Sequence, residues 1–414
     1  MIEKFKREYQ FYKSHPRNLR LLLMTNLIYA LVLPIIEMFV GAYIMRSSSN
    51  TTWVMSYQLA LYSGIPLTFL INGLLLKYIR ITRLYSLGML LSGVSMTAMM
   101  MIDQINLPGI IIAGLIMGLS YGFFWANRDF LSLSSTTDEN RNYYFSMETF
   151  FYTLTFVVVP FLAGNFIALA DKGFLLGGNT NLAYYTLTGI VFLLTFFSSV
   201  LVHRGSFENP KREPFIFFHF APLWWKMLGM ALLKGLAQGA IVTAPIMLIM
   251  RLLGKEGALG TLQSVAAVLS AIVLYLIGRM AKPQHRLLIF TIGLSIFTTG
   301  FLVNSVLFSG VGVIIFMMCI TIARPLLDVA YFPILLGVID KVASLENRNK
   351  FAYILNHEWG LFAGRLIGCG MFILLSVQIS EDFALKYALL AIAVGQFLSI
   401  WMAKRIINDL KSDY

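Results

Sequence analysis

Charged residues are scarce in this chain of 414 residues, since only 13% are Asp, Glu, Lys or Arg. Soluble domains carry about 25%. The apolar residues, 58% of the chain, occur in long runs rather than at the spacing of an amphipathic surface helix. Because about 20 mainly apolar residues cross the hydrocarbon core of a bilayer, this pattern excludes a soluble globular protein. The sequence predicts an integral membrane protein.

Cysteine is nearly absent as well. Cys319 and Cys369 are the two cysteines of the chain, both fall inside apolar runs, and no C-x-x-C occurs. This excludes a disulfide framework and a thiolate metal site, so we expect no metal and no cofactor. The sequence also lacks a phosphate-cradling G-x-x-x-x-G-K-[ST], an H-E-x-x-H and a nucleophile elbow, which disfavours an ATP-driven pump and an enzyme.

Twelve apolar runs predict transmembrane helices, because the runs are too long for barrel strands and irregular backbone is not tolerated against lipid. They lie at about 19–46, 53–76, 83–102, 108–127, 143–169, 183–202, 221–250, 257–279, 287–308, 311–339, 351–376 and 384–404. Very short connections at 103–107 and 309–310 leave counts of eleven or ten helices open.

Basic residues are concentrated in alternate loops, which predicts an orientation. Of the 32 Lys and Arg, 24 lie in the segments 1–20, 77–83, 128–141, 203–226, 279–286, 341–350 and 404–414, and five lie in the loops between them. By the positive-inside rule, both termini face the cytoplasm of a multi-pass plasma (inner) membrane protein. The net charge of +12 is spread over these loops, so we expect the lipid bilayer, and no nucleic acid, as a partner.

A tetrapeptide, E-N-R-N, occurs at 139–142 and again at 346–349, 207 residues later. Three further pairs of identical residues lie 205 positions apart: Gln58 with Gln263, Gly73 with Gly278, and Lys77 with Lys282. An arginine follows each of the two lysines a few residues later, Arg83 in the first half and Arg286 in the second. The chain is therefore predicted to be all-α, with about 12 transmembrane helices in two parallel six-helix repeats. The halves are 1–202 and 221–414, joined by a central cytoplasmic loop at 203–220, with a substrate site between them near the bilayer midplane.

This organisation resembles the major facilitator superfamily over essentially the whole chain. In that family the loop after the second helix follows G-x-x-x-D-x-x-x-R-[KR], and here Lys77 stands where the acid is expected, as Lys282 does in the second half. E-N-R-N resembles the family's E-R-G residues. The resemblance implies a charge relay that latches the inner helix ends. The gating candidates are Gly73, Lys77, Arg83, Glu139, Arg141, Gly278, Lys282, Arg286, Glu346 and Arg348.

E-N-R-N also has an interpretation that does not depend on the family. An arginine in the first turn of a helix faces the positive end of the helix dipole and needs compensation. Glu139 and Glu346 supply a nearby carboxylate, and Asn140 and Asn347 are expected to cap exposed amides. Plain helix-start chemistry and gating therefore both remain open for this motif.

A second resemblance lies in the fifth predicted helix. The stretch V-P-F-L-A-G-N matches part of the G-P-x-x-G-G motif of proton-exchanging exporters at Pro160, Ala163 and Gly164. The resemblance implies proton-coupled export, and ordinary close packing of small residues is the alternative.

Ionisable residues inside the predicted helices are candidates for function, because a charge near the bilayer centre costs at least about 2.5 kcal/mol and needs a partner or water. Glu37 is the clearest acid. Desolvation favours the protonated form of a carboxyl group, which a proton carrier requires, and a static ion pair with Lys234 or Arg365 is the alternative. Glu148 has no obvious mate in its own helix. The proton-coupling candidates are Glu37, Glu358, Glu148 and His357.

Two pairings are expected within single helices. Arg324 and Asp328 lie four residues apart, which favours an internal ion pair. Glu358 and Arg365 lie two turns apart on one face. We favour this pair over His357, which points about 100° away from Glu358.

The substrate is only weakly indicated. Amides and aromatic rings suit sugars and similar polar solutes, whereas 21 methionines and 33 phenylalanines suit large amphipathic ligands. The substrate-cavity candidates are Asn26, Gln58, Lys234, Gln238, Gln263, Arg324, Asp328, Asn356, Trp359 and Arg365.

We interpret the chain as a secondary active transporter that works by alternating access, as a monomer. Proton-coupled export of a small amphipathic compound is the favoured function. Proton-coupled uptake of a polar nutrient such as a sugar is the alternative, and a lipid flippase or a non-transporting sensor on the same scaffold is a third interpretation.

If Lys77 and Lys282 belong to a latch, reversing either charge to Glu should shift the balance between the inward-open and outward-open states. Crosslinking or spin-label distances across the inner helix ends would measure the shift. An unchanged distance distribution would leave both lysines as topology signals only.

Overall fold

A computed structural model describes residues 10, 12–102, 105–136, 138–209, 214, 216–280 and 283–411. Long helices make up most of these residues, and none of the described residues lies in a β-strand. The helices are α1 (Arg17–Ser48), α2 (Thr51–Leu75), α3 (Ile81–Met100), α4 (Leu107–Ser135), α5 (Asp138–Asp171), α6 (Thr180–Val202), α7 (Pro222–Leu252), α8 (Glu256–Met280), α9 (Arg286–Leu307), α10 (Gly310–Glu346), α11 (Lys350–Gln378) and α12 (Glu381–Lys411, with internal breaks).

Helix α3 is the least apolar of the twelve. Within the described residues, eleven helices are long and apolar enough to cross a membrane, and α3 is not among them. Its 20 residues nevertheless span about 30 Å at 1.5 Å per residue. Its serines are buried against neighbouring helices: Ser95 donates to the carbonyl of Ala113 at 2.7 Å, and Ser199 donates to the carbonyl of Ser86 at 3.0 Å. The described helices therefore match the twelve predicted runs.

Short loops join several helices, and their sequences explain where the following helix begins. Asn50, Asn106 and Asn179 each precede a helix and accept a hydrogen bond from a backbone amide three residues later. Such side-chain caps satisfy amides that lack a partner in the first helical turn. Because the helices alternate in direction, both Arg17 and Lys411 lie at one face of the molecule. We call it the terminal face, and the other the opposite face.

Glycines allow very close helix packing inside each group of six. A Cβ atom at Gly364 on α11 would overlap the carbonyl oxygen of Leu232 on α7, and one at Gly118 on α4 would overlap the carbonyl oxygen of Leu61 on α2. Since helices in lipid associate through such van der Waals contact and not through hydrophobic burial, these glycines hold each group together.

The first six helices meet the last six mainly through two pairs, α5 with α8 and α2 with α11. Gly164 on α5 lies against Gly260 on α8, where a Cβ atom would contact backbone at 3.0 Å. The exporter-like stretch therefore lies at the junction of the two groups. The chain passes between the groups from Val202 to Pro222. The domain division at 202 and 221 remains a prediction.

The two E-N-R-N copies differ in backbone structure. The first lies in the opening turns of α5, whereas the second joins α10 to α11. There Asn347 has a left-handed φ of 48° and ends α10, and Asn349 caps the amide of Phe351. The prediction that Asn347 caps the following helix is therefore wrong, because α10 continues further than its apolar run. The predicted compensation is present, since Glu346 pairs with Arg348 at 2.9 Å.

Replacing Gly364 by Ala should destabilise the protein by about 1–3 kcal/mol, because the new methyl group forces α7 and α11 apart. Gly370 lies on the same helix with nothing within 4 Å of a Cβ atom. Gly370→Ala is the matched control and should be neutral or stabilising by up to about 1 kcal/mol. Thermal unfolding of the purified protein measures both, and equal effects of the two variants would contradict the packing argument.

Candidate functional site

The two groups of helices enclose a central cavity with two lobes that share Gln238, Arg324, Glu358 and Arg365. The narrow lobe, about 230 Å³, lies mostly against α1, α2 and α4. The wide lobe, about 480 Å³, lies mostly against α7, α9, α10 and α11 and extends to Asp129 near the terminal-face end of α4. The cavity therefore runs from mid-depth toward the terminal face.

Glu37 and Gln58 line the narrow lobe, as predicted from their depth in α1 and α2. Tyr57 and Tyr121 line it too, and their buried hydroxyl groups have no hydrogen-bond partner among the described residues. A buried hydroxyl without a partner is costly unless water or a ligand supplies the bond. Both tyrosines therefore lie in the wall of this lobe with their hydroxyl oxygens buried.

Lys234 and Asp328 form an ion pair across helices α7 and α10, with 2.9 Å between Nζ and Oδ1. The ammonium group also lies 4.1 Å and 4.2 Å from the ring centroids of Tyr331 and Phe332. The predicted internal pair of Asp328 with Arg324 is wrong. A pair at this spacing within one helix contributes only about 0.5 kcal/mol, and Lys234 competes with an aromatic surrounding that stabilises its charge.

Glu358 and Arg365 pair within α11 at 3.4 Å, which confirms the predicted pairing. Arg365 also donates to the side chain of Gln238 at 2.8 Å, so α11 is tied to α7. Its guanidinium lies 4.6 Å from the ring centroid of Tyr62 on α2. Arg365 therefore contacts both groups of helices at the centre of the cavity.

Glu37 and Arg324 are the two cavity charges that lack an ion pair and a side-chain hydrogen bond among the described residues. They come from α1 and α10, one from each group of helices. Arg324 is exposed to the cavity, and its charge acts on the carboxyl group of Glu37. The predicted static pairing of Glu37 with Lys234 or Arg365 is therefore wrong, because both cations have other acidic partners.

His357 is buried at the wall of the wide lobe. Its Nε2 lies 2.7 Å from the hydroxyl oxygen of Tyr331, the residue whose ring lies beside Lys234. The histidine is thus linked to the lysine through one aromatic side chain. Its predicted role in proton coupling stays a prediction.

Glu148 does have a mate, on a different helix from its own. Its carboxylate pairs with Arg128 of α4 and accepts from Asn26 of α1 at 2.6 Å. Tyr144 donates to it at 3.1 Å, and Tyr85 of α3 donates to Asn26. This network joins four helices. Asn26 is therefore held in this network and lines neither lobe, and its role in substrate binding stays a prediction.

Three other cavity candidates lie elsewhere. Asn356 accepts from the indole of Trp224 at 2.7 Å, in the packed interior between α11 and α7. Trp359 is 40% exposed and contacts Phe362 edge-on. Gln263 is half-buried on α8, and neither lobe is lined by any of the three. Depth in the membrane alone does not determine which way a side chain faces, because neighbouring positions on a helix point about 100° apart. The substrate-binding role of these three residues stays a prediction.

The predicted gating residues lie at or near the terminal face, except those that fall outside the description. Lys77 and Arg83 are exposed at the loop after α2, and Gly73 lies in the last turns of that helix. Arg286 begins α9. Lys282 lies outside the described residues, as do the side chains of Glu139, Arg141 and Gly278.

Arg348 and Glu346 hold the second copy of the motif to the end of the central loop. Arg348 donates to the carbonyl oxygen of His219 at 2.5 Å, and Glu346 accepts from the amide of Ala221 at 2.6 Å. Both contacts stay within the last six helices and the loop before them. The latch stays a prediction.

The opposite face is closed by an ion-pair cluster that sequence reasoning missed. Arg46 at the end of α1 pairs with Asp171 of α5 at 2.5 Å and with Glu256 of α8 at 2.9 Å. Tyr184 donates to Glu256, whose side chain is 3% exposed. One signal was available: Arg46 is among the few basic residues in the loops predicted to lie outside. A cation retained there needs a reason other than topology.

Backbone and hydroxyl contacts complete this closure between α2 and the last two helices. The amide and hydroxyl of Thr51 donate to Glu381 at 3.1 Å and 3.0 Å, and Thr52 lies 2.6 Å from Ser376 between hydroxyl oxygens. Among the described residues, the ion pair that joins the two groups of helices, Arg46 with Glu256, therefore lies at the opposite face. The structure is closed at that face and open toward the terminal face.

A family model described as Major Facilitator Superfamily matches residues 21–364. The chain belongs to this family. Its members include transporters, and the helical architecture with a central cavity agrees with that membership. No group of three or more potential metal ligands occurs among the described His, Cys, Asp and Glu residues.

Two bacterial relatives match this superfamily member in sequence. The protein YqgE of Bacillus subtilis (strain 168), which is uncharacterized, is 23% identical over 398 residues, covering 94% of this chain and 90% of the relative. An uncharacterized protein in the sodM 3′ region of Geobacillus stearothermophilus is 28% identical over 155 residues, covering 37% of this chain and 71% of the relative.

Solved structures share the fold. The nucleoside transporter NupG has a TM-score of 0.65 at 9% identity and covers 95% of this chain and 99% of its own. A bacterial homologue of the iron transporter ferroportin, in an inward-facing state, has a TM-score of 0.66 at 16% identity, with coverages of 94% and 98%. At such low identity these superfamily likenesses show the fold alone.

Replacing Arg46 by Gln should open the opposite face, because Glu256 then loses its cation while it is still buried. A lost charge-assisted bond of about 1.5–3 kcal/mol changes the ratio of the two states by roughly tenfold or more. Spin-label distances between the opposite-face ends of α5 and α8, in a background without Cys319 and Cys369, measure the shift.

The matched control is Arg251→Gln. Arg251 lies at the same face and pairs with Asp382 at 3.1 Å, but both residues belong to the last six helices. This variant should leave the distances unchanged. Equal shifts in both variants would show that surface charge in general, and not the Arg46 cluster, controls the closure.

Proposed function

We propose that this protein exports a small amphipathic compound across the plasma membrane in exchange for protons, by alternating access. The observation that carries the proposal is the central cavity, closed at one face and open toward the other, with the acid Glu37, which has no ion pair among the described residues, on its wall. With the terminal face cytoplasmic, as the basic loops predict, this is an inward-open state that can take up a solute from the cell interior.

The walls of the cavity support an amphipathic solute. The wide lobe carries the apolar side chains Phe290, Phe297, Leu294 and Leu335, whereas ten of the fifteen residues that line the narrow lobe carry a polar or charged group. An apolar pocket with a few fixed polar groups is the usual form of a site for an amphipathic organic molecule. A sugar site is less well supported, because three of the five amides predicted for it, Asn26, Gln263 and Asn356, line neither lobe.

Glu37 is the best supported proton carrier of the four candidates. Glu358 and Glu148 are held by arginines, and His357 is bonded to Tyr331, whereas the carboxyl group of Glu37 faces the narrow lobe without a bonded partner. A charge that loses its water when the cavity closes is costly. Glu37 would therefore be protonated on closure or would approach Arg324 across the cavity.

The transport cycle requires contacts to break at one of the two faces of the molecule while other contacts form at the second face. The Arg46 cluster and the Thr51–Glu381 bonds would separate as the cavity opens to the outside, because these polar groups can exchange protein partners for water at modest net cost. The basic residues at the terminal face would then approach one another, which is where the predicted latch would act.

Export, as opposed to uptake, is supported by the exporter-like stretch Pro160–Gly164. In the structure this stretch packs against Gly260 of α8 at the junction of the two groups. Small residues at this junction would allow α5 and α8 to pack closely and also to slide past each other when the two groups of helices change their relative position.

Glu37→Gln should abolish uphill transport while exchange of the solute remains measurable, because the neutral amide cannot release a proton. Asp340→Asn is the control, since Asp340 is 64% exposed and pairs with Lys350 outside the cavity. Uphill transport by the Glu37 variant equal to that of the parent protein would remove Glu37 from the mechanism.

Luminal pH in proteoliposomes, with an imposed gradient and a panel of lipophilic cations, sugars and peptides, decides the direction. Proton movement opposite to the solute supports antiport and export. Movement in the same direction overturns export in favour of nutrient uptake. A panel that moves with no pH change overturns proton coupling and favours a facilitated route or a flippase.

A further inference from the structure

A second cavity lies away from the transport path, at the terminal face between α9, α10 and α12. Its volume is about 580 Å³. Three cations line it, Arg286 from the start of α9 and Lys404 and Lys411 from the last turns of α12, together with the amides of Gln284 and Asn408. The rest of the wall consists of leucine and isoleucine side chains. The cavity therefore has a positively charged polar part with an apolar wall behind it.

No acid compensates these three charges among the described residues. Arg286, Lys404 and Lys411 form no salt bridge there, and no acidic side chain lines the cavity. Asp409, although it neighbours the cavity in sequence, pairs with Lys226 at 2.5 Å and so neutralises a charge of α7. Three like charges in one depression repel each other, and a bound anion would relieve that repulsion.

Neighbouring side chains indicate that this cavity lies at the level of the lipid headgroups. Trp401, one turn before Lys404, is 52% exposed and carries the guanidinium of Arg405 at 3.7 Å from its ring centroid. An exposed tryptophan beside a basic residue is typical of the membrane–water interface. Leu288, two residues after Arg286, is an exposed apolar side chain near the same end of α9, with 60% of its surface accessible.

We propose that this cavity binds the phosphate-bearing headgroup of an anionic phospholipid from the cytoplasmic leaflet. Arg286, Lys404 and Lys411 contact the phosphate, the two amides contact the headgroup alcohol, and the acyl chains lie along the exposed apolar surfaces of α9 and α12. Cationic depressions between transmembrane helices on the cytoplasmic side suit this class of ligand. A soluble phosphate has the same charge but gains nothing from the apolar wall.

The test uses the full chain in nanodiscs of phosphatidylcholine that contain a minor fraction of spin-labelled phosphatidylglycerol or spin-labelled phosphatidylcholine. The parent protein should immobilise the anionic label in preference to the zwitterionic one. Each basic residue near the membrane surface strengthens the association with an anionic lipid roughly fivefold. Lys404→Gln should therefore lower the preference for the anionic label about fivefold, and the double variant Lys404→Gln, Arg286→Gln should lower it about 25-fold. Lys404→Arg should retain it, which separates loss of charge from misfolding.

Arg405→Gln is the matched control, because it removes the same charge from the next residue, outside the cavity. An equal loss with this variant would overturn the proposal in favour of diffuse surface attraction, and so would equal immobilisation of the two labels by the parent protein. Inorganic phosphate is added in a parallel sample. Displacement of the anionic label by millimolar phosphate would assign the site to a soluble anion, whereas retention of the label supports the lipid.

Discussion

An ionised side chain in the hydrocarbon interior needs either a counter-charge or water, and most of the internal arrangement of this protein follows from that requirement. Lys234 lies against Asp328, Arg365 against Glu358, and Arg128 against Glu148. Each acid has a cation within reach because an unpaired charge at this depth would oppose insertion. The exceptions, Glu37 and Arg324, line the cavity, the part of the interior where water or a solute can take the place of an ion-pair partner.

The contacts inside each group of six helices differ in kind from the contacts that close the opposite face. Inside each group of six helices, contacts are close and dry: glycine against carbonyl oxygen in α7 and α11, and a buried network of Asn26, Tyr144 and Glu148 in the first group. Between the groups, the closure at the opposite face consists of hydroxyl contacts and the ion pair of Arg46, which is 31% exposed, with the buried Glu256. Separating closely packed apolar surfaces leaves a void, which is costly. An exposed polar bond can be replaced by a bond to water at small net cost, so polar contacts suit a closure that opens.

Relations inside one helix could be predicted from the sequence, and relations between helices mostly could not. The spacing of Glu358 and Arg365 gave the correct pair because helix geometry determines it. The same reasoning failed for Arg324 and Asp328, because Asp328 pairs with Lys234 on α7. The spacing of residues within α10 cannot predict a partner on another helix. Depth in the membrane selected Glu37 and Gln58, which line the cavity, but it could not show that Asn26, Asn356 and Trp359 face other parts of the molecule.

The sequence by itself determined the class of protein and its helices, because apolar runs of membrane length have one stable form in lipid and scarce charge excludes a soluble fold. It also indicated the family, through order and repetition along the whole chain. Only the tertiary structure decided which charges are paired, which face is closed, and that Arg46, Asp171 and Glu256 form the closure. Those outcomes depend on which sides of different helices face each other, and that is set by the packing of small residues far apart in the chain.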